Sequence, residues 1–360
     1  MKKRYLKIVA TGSYLPEKIV KNSDFLDFKF IDPKTNMPFD KSNEEIISKF
    51  KDITNIEERR WVNDNQTCSD IAAIAARDAL DSGGINGEDL DFIIVAHNFG
   101  DIKAGTLQTD TLPSISNKVK AILGIKRSEC ICHDIIAGCP GWTQAMITAN
   151  AYIKSGDYNL GLIIGADTLS RIIDESSRDA MIFADGAGAT IVKAVESETP
   201  TGLISSHSQS DSIPYANILT FDAPIDKSQW NGKDQFIYME GRKVYVYALS
   251  KVPSVVKTSI EKAGIDLSDI KKVLIHQANE KMDEAILERI FKLYGKDTYD
   301  KDVMPMTINK FGNSSVATVP TMLDLIVKEN LDKHVISKDD YVIFASVGAG
   351  MNINSIVYRI

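Results

Sequence analysis

Apolar and amphipathic segments alternate along the chain from end to end. Short apolar runs bounded by Gly, Pro or polar residues predict buried strands at 5–10, 92–96, 130–134, 160–166, 181–183, 189–195, 203–208, 236–239, 273–276, 341–346 and 352–358. Longer mixed segments predict helices at 44–50, 68–82, 113–123, 142–154, 244–262, 281–293 and 313–328. Polar segments containing Gly or Pro predict a turn at 11–16 and loops at 27–42 and 97–112. This alternation predicts an α/β fold in which helices cover the sheets.

The sequence has the form of two copies of one unit. Three positions that join a helix end to a buried strand recur in the second half: Gly84, Ile85 and Asp89, then Gly264, Ile265 and Asp269. The turn and helix after Cys139 match those after Asn313, and Asp185-Gly-Ala-Gly188 matches Val347-Gly-Ala-Gly350. Chance similarity among the glycine-rich turns of α/β proteins is the alternative. The shared order of three segments favours a duplication, with halves at 1–197 and 198–360.

Length and charge narrow the class of protein. A chain of 360 residues exceeds the usual size of a single core, which agrees with two halves. The net charge of −7, without a basic tract, argues against a nucleic-acid partner. No apolar run approaches the ~20 residues that span a membrane, and we expect no signal peptide. The four cysteines show no disulfide framework, which is typical of the reducing cytoplasm.

Three side chains provide candidate chemistry at predicted element ends. Cys139 follows an apolar stretch and precedes a helix, His276 opens His276-Gln-Ala-Asn279, and Asn313 follows Gly312. A thiol nucleophile and two N–H donors are what a covalent thioester intermediate and a developing oxyanion require. The alternatives are a packed interior thiol, a hydrogen-bonded histidine at a strand end, and an asparagine that caps a helix. The helix after Cys139 favours an anion at its N-terminus, so we expect a lowered thiol pKa.

Several strings together identify a family resemblance. The chain resembles the β-ketoacyl-acyl-carrier-protein synthase III family, condensing enzymes of the thiolase superfamily. The strings that carry this resemblance are Gly12-Ser-Tyr-Leu-Pro16, Cys139 with Gly141, Ser155-Gly156, Asp185-Gly-Ala-Gly188, His276-Gln-Ala-Asn279, Gly312-Asn-Ser-Ser315, Val319-Pro320 and Val347-Gly-Ala-Gly350. It implies a five-layered αβαβα sandwich of two duplicated halves, and a homodimer.

The resemblance also implies roles for the candidate residues. Cys139 would accept an acyl group from a thioester, and the backbone amides of Cys139 and Ala349 would form the oxyanion hole. His276 and Asn313 would stabilise the enolate formed when malonyl-carrier protein loses CO2. The alternative activities are a specialised enzyme that joins β-ketoacyl groups, as in dialkylresorcinol synthesis, and a non-catalytic partner subunit, which usually lacks the cysteine.

The implied substrate handle is coenzyme A or the phosphopantetheine of acyl carrier protein, and no separate cofactor is expected. The positions that match the family's handle-binding residues are Arg178, Gly241, Ala278, Asn279 and Lys281. Glu45 stands where relatives have a tryptophan that stacks on adenine, and the loops at 27–42 and 99–112 are longer than usual. An acid at that position disfavours a nearby nucleotide phosphate. We therefore expect a carrier-protein donor to be preferred to coenzyme A.

Two further patterns do not predict a site. Cys130, Cys132 and His133 lie on a predicted strand, and the single residue between the thiols is too short a spacing for a structural zinc site. Asp185-Gly-Ala-Gly188 lacks the third glycine and the following helix of a dinucleotide fingerprint. His97, at the start of the long loop, either borders the pocket or has no catalytic role.

Overall fold

The computed structural model describes residues 2–228 and 230–360. The strands are β1 Lys3–Tyr14, β2 Lys18–Lys21, β3 Ile31–Asp32, β4 Met37–Pro38, β5 Glu58–Trp61, β6 Phe92–His97, β7 Ile131–Ile136, β8 Leu160–Thr168, β9 Asp185–Ser197, β10 Gly202–Ser210, β11 Leu219–Asp222, β12 Phe236–Met239, β13 Ile270–Ile275, β14 Tyr341–Gly348 and β15 Asn352–Arg359. The helices are α1 Asn43–Thr54, α2 Cys68–Gly83, α3 Ile115–Leu123, α4 Gly141–Ser155, α5 Ser212–Tyr215, α6 Gly241–Ala263, α7 Glu280–Lys292, α8 Ile308–Phe311 and α9 Thr318–Val327.

Two sheets of matching topology form the framework. The first has the order β1-β9-β8-β6-β7, and the second has the order β10-β15-β14-β13. In the first sheet β9 runs antiparallel to both of its neighbours, and in the second sheet β15 does the same. The next pair in each sheet, β8–β6 and β14–β13, is parallel. Four strands therefore repeat in order and direction, which confirms the predicted duplication. The division at 197/198 stays a prediction; it falls between β9 and β10.

Helices cover both outer faces and fill the space between the sheets. One apolar cluster joins α2 and α3 to the first sheet, and another joins α6 and α7 to the second. A third cluster contains buried residues of α4, α9 and both sheets. The layers are thus helix, sheet, helix, sheet, helix, and the predicted αβαβα sandwich is confirmed.

The repeated glycines end equivalent helices. Gly84 follows α2 with φ 59°, and Gly264 follows α6 with φ 69°. This left-handed conformation is accessible to glycine without a Cβ penalty, so each glycine stops its helix before the next strand, β6 or β13. Ser42 likewise caps α1 as predicted, because its hydroxyl accepts a hydrogen bond from the Glu45 amide.

Three predicted elements differ from the structure. Residues 11–14 belong to β1 instead of a turn, since Gly12 lets the strand approach α2: a Cβ there would lie 2.3 Å from the Ala79 nitrogen. Residues 181–183 do not form a strand; Arg178–Ile182 is a short 3₁₀ turn with local hydrogen bonds. The last predicted helix starts only at Thr318, because Gly312 and Ser315 have φ of 63° and 53°.

The two-stranded pairs β3–β4 and β11–β12 lie outside the two main sheets. The predicted loop at 27–42 contains the small hairpin β3–β4, which is held by the Ile31 amide donating to the Ser176 carbonyl at 2.9 Å. The β11–β12 ribbon lies between α5 and α6. Among the described residues, no helix combines the length and the hydropathy required to cross a membrane.

Candidate active site

Cys139 lies in the short connection between β7 and α4. This connection is pressed against the turn that follows β14: a Cβ on Gly348 would lie 2.9 Å from the Cys139 nitrogen. A Cβ on Gly138 would lie 3.3 Å from the Ala349 nitrogen. Only glycine, which has no Cβ, permits this close approach at positions 138 and 348. The approach brings the backbone amides of Cys139 and Ala349 close to each other.

His276 and Asn313 are fixed by backbone pairing. His276 follows β13, and its amide donates to the Ala345 carbonyl at 2.9 Å. Asn313 pairs with the 182–184 segment, where its amide donates to Ile182 and its carbonyl accepts from Ala184, each at 2.9 Å. The asparagine is therefore held by strand-like pairing, and it lies outside α9.

The structure brings Cys139, His276 and Asn313 together on the wall of one small cavity of about 60 Å³. Ser315 and Ala349 complete its polar side. The remaining wall is mostly apolar and includes Leu169, Phe183, Leu219, Ile237, Met239, Val244, Met282 and Val347. Such a chamber excludes water and strengthens any hydrogen bond formed inside it.

The thiol of Cys139 is less acidic than the sequence suggested. Burial raises its pKa to about 12, and the nearby Asp167 carboxylate adds to this shift. A hydrogen bond from the Ser315 hydroxyl, 3.4 Å from Cys139 Sγ, opposes it. The expectation of a lowered pKa was wrong in direction, because enclosure by protein outweighs the hydrogen bonds that favour the thiolate.

His276 and Asn313 both line the chamber and both carry groups able to donate hydrogen bonds. Burial lowers the pKa of His276 to about 4, so the imidazole is neutral near pH 7. Its Nδ1 has no hydrogen-bond partner within the described residues. The Asn313 Oδ1 accepts from the Ser315 amide at 2.8 Å, which turns the Asn313 NH2 away from that partner and makes it available as a donor.

A second, larger cavity adjoins the chamber. It has a volume of about 330 Å³ and shares Asn98, Leu169 and Ala349 with the chamber. Its walls are mainly apolar, and one of them is Ile136, which is 67% exposed at the end of β7. The size and lining suit an acyl chain attached to Cys139.

The residues predicted to bind coenzyme A or phosphopantetheine divide into two groups. Ala278 lines the chamber, and Gly241 starts α6 between the chamber residues Met239 and Val244. Asn279 caps α7, since its side chain accepts from the Met282 amide at 3.1 Å. These residues surround one side of the chamber.

Arg178 and Lys281 lie outside the chamber. Lys281 is exposed on the first turn of α7. Arg178 is also exposed, but its guanidinium lies 5.3 Å from the ring of Phe39, which belongs to the segment after the hairpin β3–β4. Glu45 does not face a ligand site; its carboxylate accepts from the Ser42 amide at 3.2 Å and completes the cap of α1.

Sequence reasoning missed two polar residues of the chamber wall as well as its apolar lining, and it left His97 undecided. Asn98 and Ser315 both line the chamber, and only the placement of Ser315 two positions after Asn313 could have suggested it. His97 lies at the end of β6, fully buried, with Nε2 3.0 Å from the Asp134 carboxylate. The Gly100 amide donates to its Nδ1, so His97 anchors the start of the loop and does not line either cavity.

Comparison with known proteins agrees with this geometry. The family model 3-oxoacyl-[acyl-carrier-protein (ACP)] synthase III matches residues 133–212, and its C-terminal counterpart matches residues 260–360. The chain is 32% identical to β-ketoacyl-[acyl-carrier-protein] synthase III 1 of Vibrio vulnificus, covering 99% of each chain. It is 34% identical to β-ketoacyl-[acyl-carrier-protein] synthase III of Staphylococcus aureus, covering 94% of each chain.

A solved structure also aligns over nearly the whole chain. The 3-oxoacyl-[acyl-carrier-protein] synthase III of Aquifex aeolicus superposes with a TM-score of 0.79 and 28% identity, covering 99% of this chain and 100% of that one. The topology, the chamber and the similarity of the full sequence lead to one assignment. This chain belongs to the 3-oxoacyl-[acyl-carrier-protein] synthase III family.

Proposed function

We propose that this protein condenses an acyl group held on Cys139 with malonyl-carrier protein, the reaction that starts fatty-acid synthesis. The observation that carries the proposal is the convergence of Cys139, His276 and Asn313 on one small chamber. The family assignment supports the same reaction. The alternative, an enzyme that joins β-ketoacyl groups, is not favoured by these relatives.

The first half-reaction acylates Cys139. The sulfur attacks the carbonyl carbon of an acyl thioester, the old carbon–sulfur bond breaks, and the departing thiol leaves with the proton that Cys139 loses. Negative charge builds on the carbonyl oxygen during the attack. The amides of Cys139 and Ala349, brought together by Gly138 and Gly348, support an oxyanion hole at this position, and one such donor contributes about 3 kcal/mol.

The second half-reaction uses the hydrogen-bond donors of the C-terminal half of the chain, His276 and Asn313. As the malonyl carboxylate leaves as CO2, its bonding electrons form an enolate on the thioester oxygen. The neutral His276 imidazole and the Asn313 amide are suited to donate hydrogen bonds to that oxygen. The enolate carbon then attacks the acyl group, and the Cys139 sulfur leaves as the free thiolate.

The acyl donor is carried by a protein in preference to coenzyme A. In support, the Phe39 ring packs on the Arg178 guanidinium at 5.3 Å and competes with a purine ring for stacking there. Glu45 cannot stack on a base, and its carboxylate is engaged at the start of α1. A carrier-protein donor presents a phosphopantetheine arm without adenine. The contact between Phe39 and Arg178 therefore affects it less than it affects coenzyme A.

Three exposed cations lie at the starts of the two helices that border the chamber, and one of them, Lys243, is paired with Glu240. Arg242 and Lys243 lie on the first turn of α6, and Lys281 lies on the first turn of α7. Both helix starts border the chamber through Val244 and Met282. Clustered positive side chains steer an acidic partner, which supports docking of acyl carrier protein here.

The enzyme acts as a homodimer in the cytoplasm. In support of the dimer, β7 forms an edge of the first sheet, with Ile131 and Ile136 37% and 67% exposed. An apolar edge strand is a template for pairing with a second copy. Leu112, 90% exposed in the loop before α3, is a further apolar side chain available to such an interface.

Product analysis tests the proposed condensation. The purified protein is incubated with an acyl-carrier-protein donor and malonyl-carrier protein, and the products are identified by mass spectrometry. We expect a β-ketoacyl-carrier protein two carbons longer than the donor. Formation of product only when a β-ketoacyl partner replaces malonyl-carrier protein would refute the proposal in favour of the alternative.

A further inference from the structure

Ser315 contacts the reactive sulfur. Its hydroxyl oxygen lies 3.4 Å from Cys139 Sγ, and the side chain lines the chamber while the residue is only 3% exposed. A hydroxyl has a single hydrogen, so its effect on the sulfur depends on where that hydrogen points. The neighbours of the Ser315 oxygen determine this direction.

Asn98 orients the hydroxyl. The Asn98 Nδ2 donates to Ser315 Oγ at 2.8 Å, which occupies one acceptor position of that oxygen. The hydroxyl hydrogen is thereby left to point at another acceptor, and Cys139 Sγ lies 3.4 Å away. Burial raises the pKa of Asp167 to about 6 and a hydrogen bond from Ser315 opposes this shift, so the Asp167 carboxylate is the competing acceptor. A thiolate at Cys139 would receive a charge-assisted hydrogen bond, which is stronger than a neutral one.

Asp167 holds Asn98 in the required orientation. The Asn98 backbone amide donates to Asp167 Oδ1 at 2.8 Å, and the Asn98 Nδ2 donates to Oδ2 at 2.5 Å. Because both contacts use hydrogens of Asn98, its side-chain amide cannot flip without losing one of them. Asp167 is itself 1% exposed, so this clamp lies in the protein interior.

The backbone of Ser315 serves the second half-reaction. Its left-handed conformation, with φ 53°, lets its amide donate to Asn313 Oδ1 at 2.8 Å. The same residue therefore directs a hydroxyl to Cys139 and fixes the carboxamide of Asn313. Strained backbone conformations of this kind are common at active sites.

We infer that Ser315 is a further catalytic residue, whose hydroxyl donates to the Cys139 thiolate, and that Asn98 and Asp167 are positioning residues for it. The inference rests on the proposed role of Cys139 as the nucleophile. The hydrogen bond stabilises the sulfur when it attacks the donor thioester and again when it leaves after condensation. No proton is transferred along the chain; the hydroxyl keeps its hydrogen throughout.

Alkylation of Cys139 tests the inference without any acyl substrate. The rate of modification by iodoacetamide is followed between pH 6 and 10 by mass spectrometry of the peptide containing Cys139, which separates it from the other three cysteines. The variants are Ser315→Ala, Asn98→Ala and the control Ser314→Ala, whose hydroxyl faces Thr318 at 3.3 Å. Circular dichroism verifies that each variant is folded.

Loss of the hydroxyl should make the thiol more basic. For Ser315→Ala we expect about tenfold less thiolate at pH 8, and a rate about threefold lower because a more basic thiolate is also more nucleophilic. Asn98→Ala should shift the profile in the same direction, and Ser314→Ala should not shift it. Both Ser315→Ala and Asn98→Ala also remove a hydrogen bond that lowers the pKa of Asp167, which burial raises to about 6. The rates are therefore compared at pH 8 and above, where the Asp167 carboxylate is largely ionised.

An unchanged profile for folded Ser315→Ala would overturn the inference. If that variant does not fold, an unchanged profile for Asn98→Ala would overturn it equally. Failure of the wild type to form an acyl-enzyme would instead refute the proposed function, since alkylation reports on the hydrogen bond alone.

Discussion

The imidazole of His276 illustrates how enclosure sets the chemistry of a single residue. Removal from water disfavours the charged form, and the pKa falls to about 4 against an ordinary value near 6.5. A neutral ring can donate one hydrogen bond to an enolate oxygen without acidifying the chamber. The role therefore depends on burial, which a sequence does not display.

The pH dependence of decarboxylation reports this pKa. Since His276 stays neutral well below pH 6.5, we expect CO2 release from malonyl-carrier protein to be nearly constant from pH 8 to about 5.5. Measurement in the Cys139→Ala background removes the contribution of the thiol. A loss of activity with a midpoint near pH 6.5 would mean that the ring titrates as it does in water.

The three main candidates were predictable at the residue scale because each stands in a recognisable string at an element end. The acidity of Cys139 was not predictable, since it depends on the surrounding protein and on Asp167, which is distant in the sequence. Ser315 and Asn98 escaped prediction for a related reason. Their importance comes from side-chain directions that bring together residues more than 200 positions apart.

Helix α7 contains a buried acid, Asp283. Asp283 is fully buried, and neither carboxylate oxygen has a hydrogen-bond partner within the described residues. Burial, with Glu280 nearby, raises the pKa of Asp283 well above its ordinary value. The folded protein therefore favours the protonated acid, and ionisation in place is unfavourable.

Replacement of Asp283 should stabilise the protein in a pH-dependent way. Above pH 4 the unfolded chain releases the proton that the folded state retains, so this group reduces the free energy of unfolding as pH rises. We expect Asp283→Asn to increase that free energy by more than about 1 kcal/mol at pH 8, with little gain near pH 4. Urea denaturation at both pH values measures the effect.

A surface acid on the same helix provides the control. Glu288 is paired with Lys292 and is exposed, so Glu288→Gln should leave the free energy of unfolding nearly unchanged at both pH values. An equal gain for Asp283→Asn at pH 4 and pH 8 would show that the charge of this carboxyl is not the cause.

The β3–β4 hairpin is the element that we expect to select the acyl donor. Phe39→Ala uncovers the Arg178 guanidinium, so kcat/KM for acyl-CoA should rise several-fold while that for acyl-carrier protein changes little. Phe28→Ala is the matched control, because Phe28 packs on Phe25 and Phe30 and does not stack on Arg178. Equal, efficient use of both donors by the wild type would refute the preference.

Elements with local signals were predicted well, and those set by tertiary contacts were not. Ser42 and Gly84 mark helix ends by their own chemistry, so α1 and α2 were located closely. The glycine at position 12 made residues 11–14 resemble a turn. In the structure the same glycine lets strand β1 pack closely on α2. The 181–183 run is buried by neighbouring segments, and a short apolar run does not distinguish a strand from a turn.

The duplication explains why the site lies where it does in the whole molecule. The first half supplies the nucleophile after β7, and the second supplies the imidazole after β13 and the carboxamide before α9. Packing of α4 and α9 between the two sheets brings these ends to a common chamber. The repeat in the sequence therefore predicted the architecture, although the fine fit of the Gly138 and Gly348 turns required the structure.

The proposed homodimer would use the β7 edge of the first sheet. Ile131→Lys places a charge on β7, so we expect the wild type to sediment as a dimer and this variant as a monomer. The control is Ile213→Lys, since Ile213 is fully exposed on α5, outside the first sheet. A wild type that is monomeric at micromolar concentration, or a variant that remains dimeric, would contradict the proposed interface.

The division of labour across the chamber is the central claim, and intact-mass spectrometry of the acyl-enzyme combined with CO2 release measures it most directly. Cys139→Ala should form no acyl-enzyme yet retain malonyl decarboxylation. His276→Ala and Asn313→Ala should each acylate Cys139 but lose decarboxylation, by about a hundredfold for one donor. Normal decarboxylation by Asn313→Ala, or acyl-enzyme in Cys139→Ala, would contradict the account.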